Sequence, residues 1–117
     1  MNNIVRDITE KENLKYNVCK TIYDFLCKDS NLSFGFGLQH VSFNDTRKEL
    51  TIFCDADRWY SITDDIRKIF KNKFGLIDCY IEASAMNELS GRKTEYLVFK
   101  NITYQEMYTL LKLKGMM

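Results

Sequence analysis

The most regular hydrophobic pattern of the chain lies near its start, where apolar residues recur every three or four positions: Leu14, Val18, Ile22, Phe25 and Leu26. This spacing predicts an amphipathic helix that ends around residues 28–30. Thr9 and Glu12 fit a capping box, in which both side chains bond to free backbone amides at a helix start. Ile4 and Ile8 lie on the same stripe, however, so a start near Asn3 is the alternative.

Between residues 32 and 54 the pattern changes to the alternation that is typical of β-strands. The alternation shifts by one residue near Gln39 and His40, which predicts a β-bulge there. The polar segment 44–48 then separates two alternating runs, so we expect a β-hairpin over residues 32–54. Gly37, on one face of the first strand, predicts that another backbone or a helix approaches closely.

A second helix is predicted by a stripe of six apolar residues: Trp59, Ile62, Ile66, Ile69, Phe70 and Phe74. Asp57 or Ser61 would cap its start, and Gly75 lies where a left-handed residue ends a helix.

The rest of the chain repeats the order of hairpin and helix. Ile77, Cys79, Ile81 and Ala83 alternate with polar residues, and residues 87–91 and 96–101 read as a turn and a second strand. Thr103 and Glu106 form a capping box for a third helix, with Ile102 and Met107 as its hydrophobic staple.

The predicted order is therefore helix, hairpin, helix, hairpin, helix. We expect residues 1–117 to form a single α+β domain, in which a four-stranded antiparallel sheet carries helices mainly on one face. The apolar residues of both hairpins would then face these helices.

Composition and charge narrow the function classes. The 17 basic and 16 acidic residues nearly balance, whereas a dedicated duplex binder has a clear basic excess. The start of the chain lacks the features of a secretory signal, and no segment has the roughly 20 apolar residues that span a bilayer. These features predict a cytoplasmic protein without membrane contact, or one in the host-cell cytoplasm if the source is viral.

Cysteine and histidine are the first candidates for chemistry. The four cysteines include no C-x-x-C pair, and His40 is the only histidine, so zinc-binding spacing is absent. A nucleophilic pair of Cys54 and His40 is conceivable across the first hairpin. No glycine-rich oxyanion loop accompanies these two residues, so the cysteines are interpreted as small core residues.

Carboxylates are the second candidates for chemistry. Asp55 and Asp57 follow a predicted strand, and Asp78 and Glu82 would have to join them to hold a divalent cation. Helix capping explains the aspartates more simply, because aspartate is a preferred N-cap residue. We therefore predict no metal, no cofactor and no enzymatic activity.

Two surfaces carry more aromatic residues than a core requires. The sheet face away from the helices would show Tyr80, Tyr96, Val98 and Lys100. Tyrosines on an open sheet suit a protein partner, since each combines apolar area with a polar tip. They also stack on bases in single-stranded nucleic acid, although Asp78 and Glu82 on the same face would repel phosphates.

The first helix has a second apolar stripe beside its core stripe: Val5, Tyr16, Cys19, Tyr23 and Cys27. The third helix ends in further apolar residues, Leu113, Met116 and Met117. Apolar surface of this kind usually marks an interface, so a homodimer through helix 1 or helix 3 is a prediction.

We expect a non-enzymatic protein-interaction module, such as a small regulator, inhibitor or adaptor, that acts through Tyr- and Phe-rich surfaces. Its predicted interaction residues are Tyr16, Tyr23, Tyr80, Tyr96 and Lys100. The alternative is a single-stranded nucleic-acid-binding domain that uses the open sheet face together with Arg67, Lys68 and Lys71. An enzyme that uses a metal or the Cys54–His40 pair is the third hypothesis.

Overall fold

A computed structural model describes the backbone of residues 2–28 and 37–117 and the side chains of residues 9–28 and 37–117. The predicted strand residues 32–36 lie outside this part of the chain. The elements are α1 (Asn2–Lys28), β1 (Leu38–Asn44), β2 (Glu49–Asp57), α2 (Thr63–Phe74), β3 (Cys79–Ala83), β4 (Arg92–Lys100) and α3 (Tyr104–Leu113). The described elements thus follow the predicted order, and the α+β class is confirmed.

The four strands form one antiparallel sheet in the order β1-β2-β4-β3, so β1 and β3 are its edges. Along β2 every second residue is buried, which places Leu50, Ile52 and Cys54 on one face. The pairing of β1 with β2 shifts between Leu38 and His40, and the predicted bulge is thereby confirmed.

The three helices cover the face that these buried residues define. Their apolar stripes meet the sheet in one hydrophobic cluster, where the Phe70 ring of α2 stacks on the Phe99 ring of β4 with centroids 4.7 Å apart. Tyr104 of α3 makes an edge contact with Phe43 of β1. A sheet that buries only one face leaves the opposite face open to solvent or to a partner.

The start of α1 differs from the capping-box prediction. The helix begins at Asn2, so Thr9 lies well inside it and does not cap it. The alternative start near Asn3 was correct to within one residue. A capping residue needs non-helical backbone before the helix, and here the helix continues upstream of Thr9.

The start of α2 also differs from the prediction. Trp59 precedes the helix and is 92% exposed, so its assignment to the core stripe was wrong. The Asp57 carboxylate accepts hydrogen bonds from the backbone amides of Trp59 and Tyr60, at 2.8 Å each, and so caps a turn instead of the helix. The cap position is Ile62, which contributes no side-chain hydrogen bond.

Both other helix-end predictions are confirmed. Gly75 ends α2 with φ +70°, and its amide bonds to the carbonyls of the last turn. Thr103 and Glu106 form a complete capping box at the start of α3. Each signal depends on residues close together in sequence, which tertiary packing did not override.

The edge strand β3 is less buried than its alternation predicted. Ile81 pairs with Leu97 on the helix side of the sheet yet is 41% exposed, and Ile77, before the strand, is 71% exposed. The helix α2 packs on β4, so it leaves the outer strand largely uncovered.

Candidate interaction surfaces

A groove of about 500 Å³ lies between α1 and the edge strand β1. One wall consists of residues on α1: Glu12, Lys15, Tyr16, Cys19, Lys20 and Tyr23. The other wall consists of five consecutive residues, 39–43, of β1. Three residues of the second apolar stripe of α1 line this groove, namely Tyr16, Cys19 and Tyr23, and two of them are predicted interaction residues. The side chain of Val5 lies outside the described part of the chain.

The β1 wall of the groove is the edge of the strand. Val41 and Phe43 point to the helix side of the sheet, whereas His40 and Ser42 point to the other face, and all four line the groove. A groove can contact side chains from both faces of a sheet only where it runs along the edge strand. No described strand pairs with the outer side of β1, so edge backbone groups face the groove.

The side chains of the groove are mostly uncharged or already paired. Tyr16 is 66% exposed, and burial raises the pKa of the Cys19 thiol to about 11, which keeps it neutral near pH 7. Lys15 forms a salt bridge with Asp45, and Lys20 forms one with Asp24 at 2.9 Å. The groove therefore offers a ligand mainly apolar side chains and backbone hydrogen bonds, together with the exposed carboxylate of Glu12.

An aromatic row crosses the open face of the sheet. His40, Phe53, Tyr96 and Glu82 are opposite one another in register on the four strands β1, β2, β4 and β3. The ring centroids of His40 and Phe53 are 5.4 Å apart, and those of Phe53 and Tyr96 are 5.3 Å apart. We refer to these four residues as the aromatic row.

A second cluster lies beside the aromatic row. The Lys100 ammonium lies 5.3 Å from the centroid of the Tyr80 ring, and the Tyr80 hydroxyl donates to Glu49 at 3.4 Å. Burial and the nearby carboxylates Glu49 and Glu82 raise the pKa of Tyr80. The structure thus places Tyr80, Tyr96 and Lys100 together on the open face, where the sequence predicted them. Val98 lies on the same face but is only 5% exposed, so its predicted exposure was wrong.

Sequence reasoning missed Phe53 and His40 as members of this face. The signal for Phe53 was present, because it alternates with Ile52 and Cys54 and must point away from them. For His40 the bulge decides on which face of the sheet its side chain lies. The bulge depends on how β1 pairs with β2, which the sequence of β1 alone does not show.

A third exposed surface, also missed, lies at one end of the sheet, where the β2–α2 and β3–β4 connections meet. Trp59 and Leu89 are almost fully exposed there, at 92% and 101%. The Arg58 guanidinium donates to the backbone carbonyl of Glu88 at 3.3 Å and joins the two loops. A small pocket of about 200 Å³ lies between them.

The Cys54–His40 pair that was considered as a nucleophilic pair does not form. Cys54 is buried on the helix side, whereas His40 lies on the open face, opposite Phe53 in register. Burial and the nearby Glu95 raise the pKa of the Cys54 thiol to about 12, so the thiolate nucleophile is scarce at neutral pH.

The four carboxylates considered for a cation site are also separated. Asp57 bonds to the turn at residues 59–60, and Asp55 lies 3.9 Å from Arg92 at one end of β4. Asp78 is at the other end of that strand, where its carbonyl accepts from the amide of Lys100. Within residues 9–28 and 37–117, no group of three metal-binding side chains lies together.

The basic residues of the alternative nucleic-acid site lie on the helix side of the molecule. Asp64 lies 2.5 Å from Arg67 and 3.6 Å from Lys68 on the exposed surface of α2, and Lys71 is exposed on the same helix. The sheet separates α2 from Tyr80 and Tyr96. The structure therefore does not combine these two sets into one site.

The end of α3 retains exposed apolar side chains, as its sequence indicated. Leu113 is 77% exposed and Met117 is 40% exposed. A homodimer through α1 or α3 stays a prediction.

No family model, curated protein or solved structure matches the chain. In the described part of the chain, no helix combines the length and apolar character needed to cross a membrane.

Proposed function

We propose that this chain is a non-enzymatic protein-interaction module that binds an extended segment of a partner protein in the groove between α1 and β1. One observation carries this proposal: consecutive residues from both faces of β1 line the groove. A ligand in the groove therefore lies against the backbone of an edge strand, not only against its side chains.

An extended segment suits this geometry. Strand addition to a sheet edge supplies main-chain hydrogen bonds, while pockets for alternate side chains supply specificity. Here Tyr16, Cys19 and Tyr23 of α1 would contact every second side chain of the added strand. Tyrosine is enriched in interface hot spots, because it buries a large apolar area with little loss of rotamer freedom.

The charges around the groove disfavour an anionic occupant. Lys15 and Lys20 are each paired with an aspartate of the same chain, so neither cation is left over for a phosphate or carboxylate. Binding should therefore depend weakly on salt, unlike the binding of a polyanion.

The test uses fluorescein-labelled peptides of about nine residues that alternate apolar and polar positions, a length that spans an edge strand. Fluorescence anisotropy measures binding, and amide hydrogen exchange reports on residues 39–43. We expect binding at micromolar concentration, with slower exchange of these amides. Tyr16→Glu should weaken binding at least tenfold by placing a charge in the groove.

Asn17→Glu is the matched control, because Asn17 is the exposed neighbour of Tyr16 and does not line the groove. The proposal would be overturned if both variants lost the same amount of peptide affinity, or if no alternating peptide bound to the chain. If light scattering instead shows a dimer that Tyr16→Glu converts to a monomer, the groove binds a second copy and the peptide proposal is wrong.

A further inference from the structure

We propose that the open sheet face is a second binding surface, which takes a lysine- or arginine-bearing segment of a protein through the aromatic row. The cation lies over the Tyr96 ring and pairs with Glu82. This surface differs from the groove, although His40 and Ser42 of the edge strand β1 border both.

The aromatic row ends in a carboxylate without a partner. Glu82 is directly opposite Tyr96 in register, on the edge strand β3. Residues opposite each other in an antiparallel pair bring their side chains within roughly 5 Å. Glu82 is exposed and makes no hydrogen bond or ion pair with any described residue. A flat aromatic ring beside a free carboxylate is the arrangement that recognises an organic cation.

The charge of the open face favours a cationic ligand. The strand residues on this face include four carboxylates, Glu49, Asp55, Asp57 and Glu82, but only two cations, Arg92 and Lys100. The strand residues of this face therefore carry an excess of negative charge, while Arg47 in the β1–β2 turn adds one positive charge near Tyr80. Complementary potentials at an interface select the partner and speed its association.

Both cations on the strands of the open face are already engaged. Arg92 lies 3.9 Å from Asp55, and Lys100 lies over the Tyr80 ring with Glu49 nearby. In the second contact an ammonium group lies over an aromatic ring whose hydroxyl donates to a carboxylate. The adjoining pair of Tyr96 and Glu82 also combines an aromatic ring with a carboxylate, and no cation from the described residues pairs with this carboxylate.

The same charges disfavour nucleic acid on this face. Phosphates bind where cations are in excess, because binding is driven by the release of counterions. Here Glu82 adjoins Tyr96, the ring on which a base would stack, and Arg67 and Lys68 of α2 lie on the other side of the sheet.

The experiment measures anisotropy of three fluorescein-labelled peptides with the full chain at low ionic strength, about 20 mM, where the Debye length exceeds 20 Å. The peptides alternate serine with lysine, glutamine or glutamate. We expect the lysine peptide to bind and the other two not to bind. Raising the ionic strength to about 200 mM should weaken binding severalfold, because exposed charges are then screened.

Two variants localise the binding. Glu82→Gln should weaken the lysine peptide about fivefold, the upper range for an exposed ion pair, and Tyr96→Leu should have a similar effect by removing the ring face. Glu88→Gln is the control, because Glu88 is an exposed carboxylate on the β3–β4 connection. Glu82 is exposed, so its variant keeps the fold, which circular dichroism verifies.

Three results would overturn the proposal. The first is that the lysine peptide does not bind at low salt. The second is that Glu82→Gln and Glu88→Gln weaken its binding equally, which would indicate unspecific attraction. Tighter binding of a 12-residue oligothymidine than of the lysine peptide would make the face a nucleic-acid surface instead.

Discussion

Ser61 and Glu95 are hydrogen-bonded to each other although they are 34 positions apart in the sequence. The Ser61 hydroxyl donates to the Glu95 carboxylate, which is buried on the helix side of β4. The Thr63 hydroxyl donates to the same oxygen at 3.2 Å, and the Lys93 ammonium lies 3.6 Å from the other oxygen. This network fastens the start of α2 to the centre of the sheet.

Removing the Glu95 carboxylate should therefore destabilise the fold. We expect Glu95→Ala to lower the free energy of unfolding by about 2–3 kcal/mol, since it removes an acceptor of the buried Thr63 hydroxyl and opens a cavity. Glu95→Gln retains an acceptor oxygen and should cost about half as much. Urea denaturation measures both changes. Glu88→Ala, at an exposed carboxylate, should stay within about 0.5 kcal/mol of the unsubstituted chain; an equally small effect at Glu95 would contradict the assigned network.

Truncating Trp59 should have almost no effect on stability. Because its side chain is 92% exposed, Trp59→Ala should change the free energy of unfolding by less than about 0.5 kcal/mol. Ile66→Ala, in the buried stripe of α2, should cost about 2–5 kcal/mol in the same urea experiment. A loss of several kcal/mol at Trp59 would show that this side chain packs in the core, as its sequence spacing had suggested.

Gly37 should not tolerate a side chain. It has φ +93°, and an added Cβ would lie 2.8 Å from the backbone carbonyl oxygen of Asp55. Gly37→Ala thus combines backbone strain with a clash against a rigid strand. Gly115→Ala is matched in backbone conformation, at φ +70°, but its Cβ would meet open space.

For the Gly115 variant we expect a loss of about 1 kcal/mol, the usual cost of the left-handed region for a residue with a Cβ. The loss at Gly37 should be at least twice as large. Thermal and urea unfolding compare the two variants, and equal losses would show that β1 and β2 yield to accommodate the methyl group.

The Cys54 thiol should make the fold sensitive to alkaline pH. Its pKa is raised from an ordinary value of 9.0 to about 12, because burial and the neighbouring Glu95 disfavour the thiolate. The folded chain then holds this proton while the unfolded chain releases it. The stabilising contribution is fully present below pH 9 and is lost as the pH rises toward 12.

In that window the free energy of unfolding should fall by up to about 1.4 kcal/mol per pH unit through this thiol alone. Cys54→Ala should cost about 1 kcal/mol near pH 7 but should lose stability less steeply above pH 9. Urea titrations at pH 7, 9 and 10.5 compare the two slopes. Parallel slopes would show that the thiol ionises as readily in the folded chain as in the unfolded chain.

Local sequence determined the elements that depend on neighbouring residues. The stripe from Leu14 to Leu26 specified α1, the alternation around Ile52 specified β2, and the Thr103 capping box specified the start of α3. These patterns also indicated that helices cover one face of the sheet, and they placed Tyr80 and Tyr96 on the other.

Only the tertiary structure decided which of these residues lie together. The sheet order leaves β1 at an edge and so creates the groove beside α1, and the pairing of β1, β2, β4 and β3 aligns His40, Phe53, Tyr96 and Glu82. The same pairing separates Cys54 from His40 and buries Glu95. Hydrophobic periodicity determines which face of an element is buried, whereas the neighbours of a strand depend on pairing between distant segments, which periodicity does not encode.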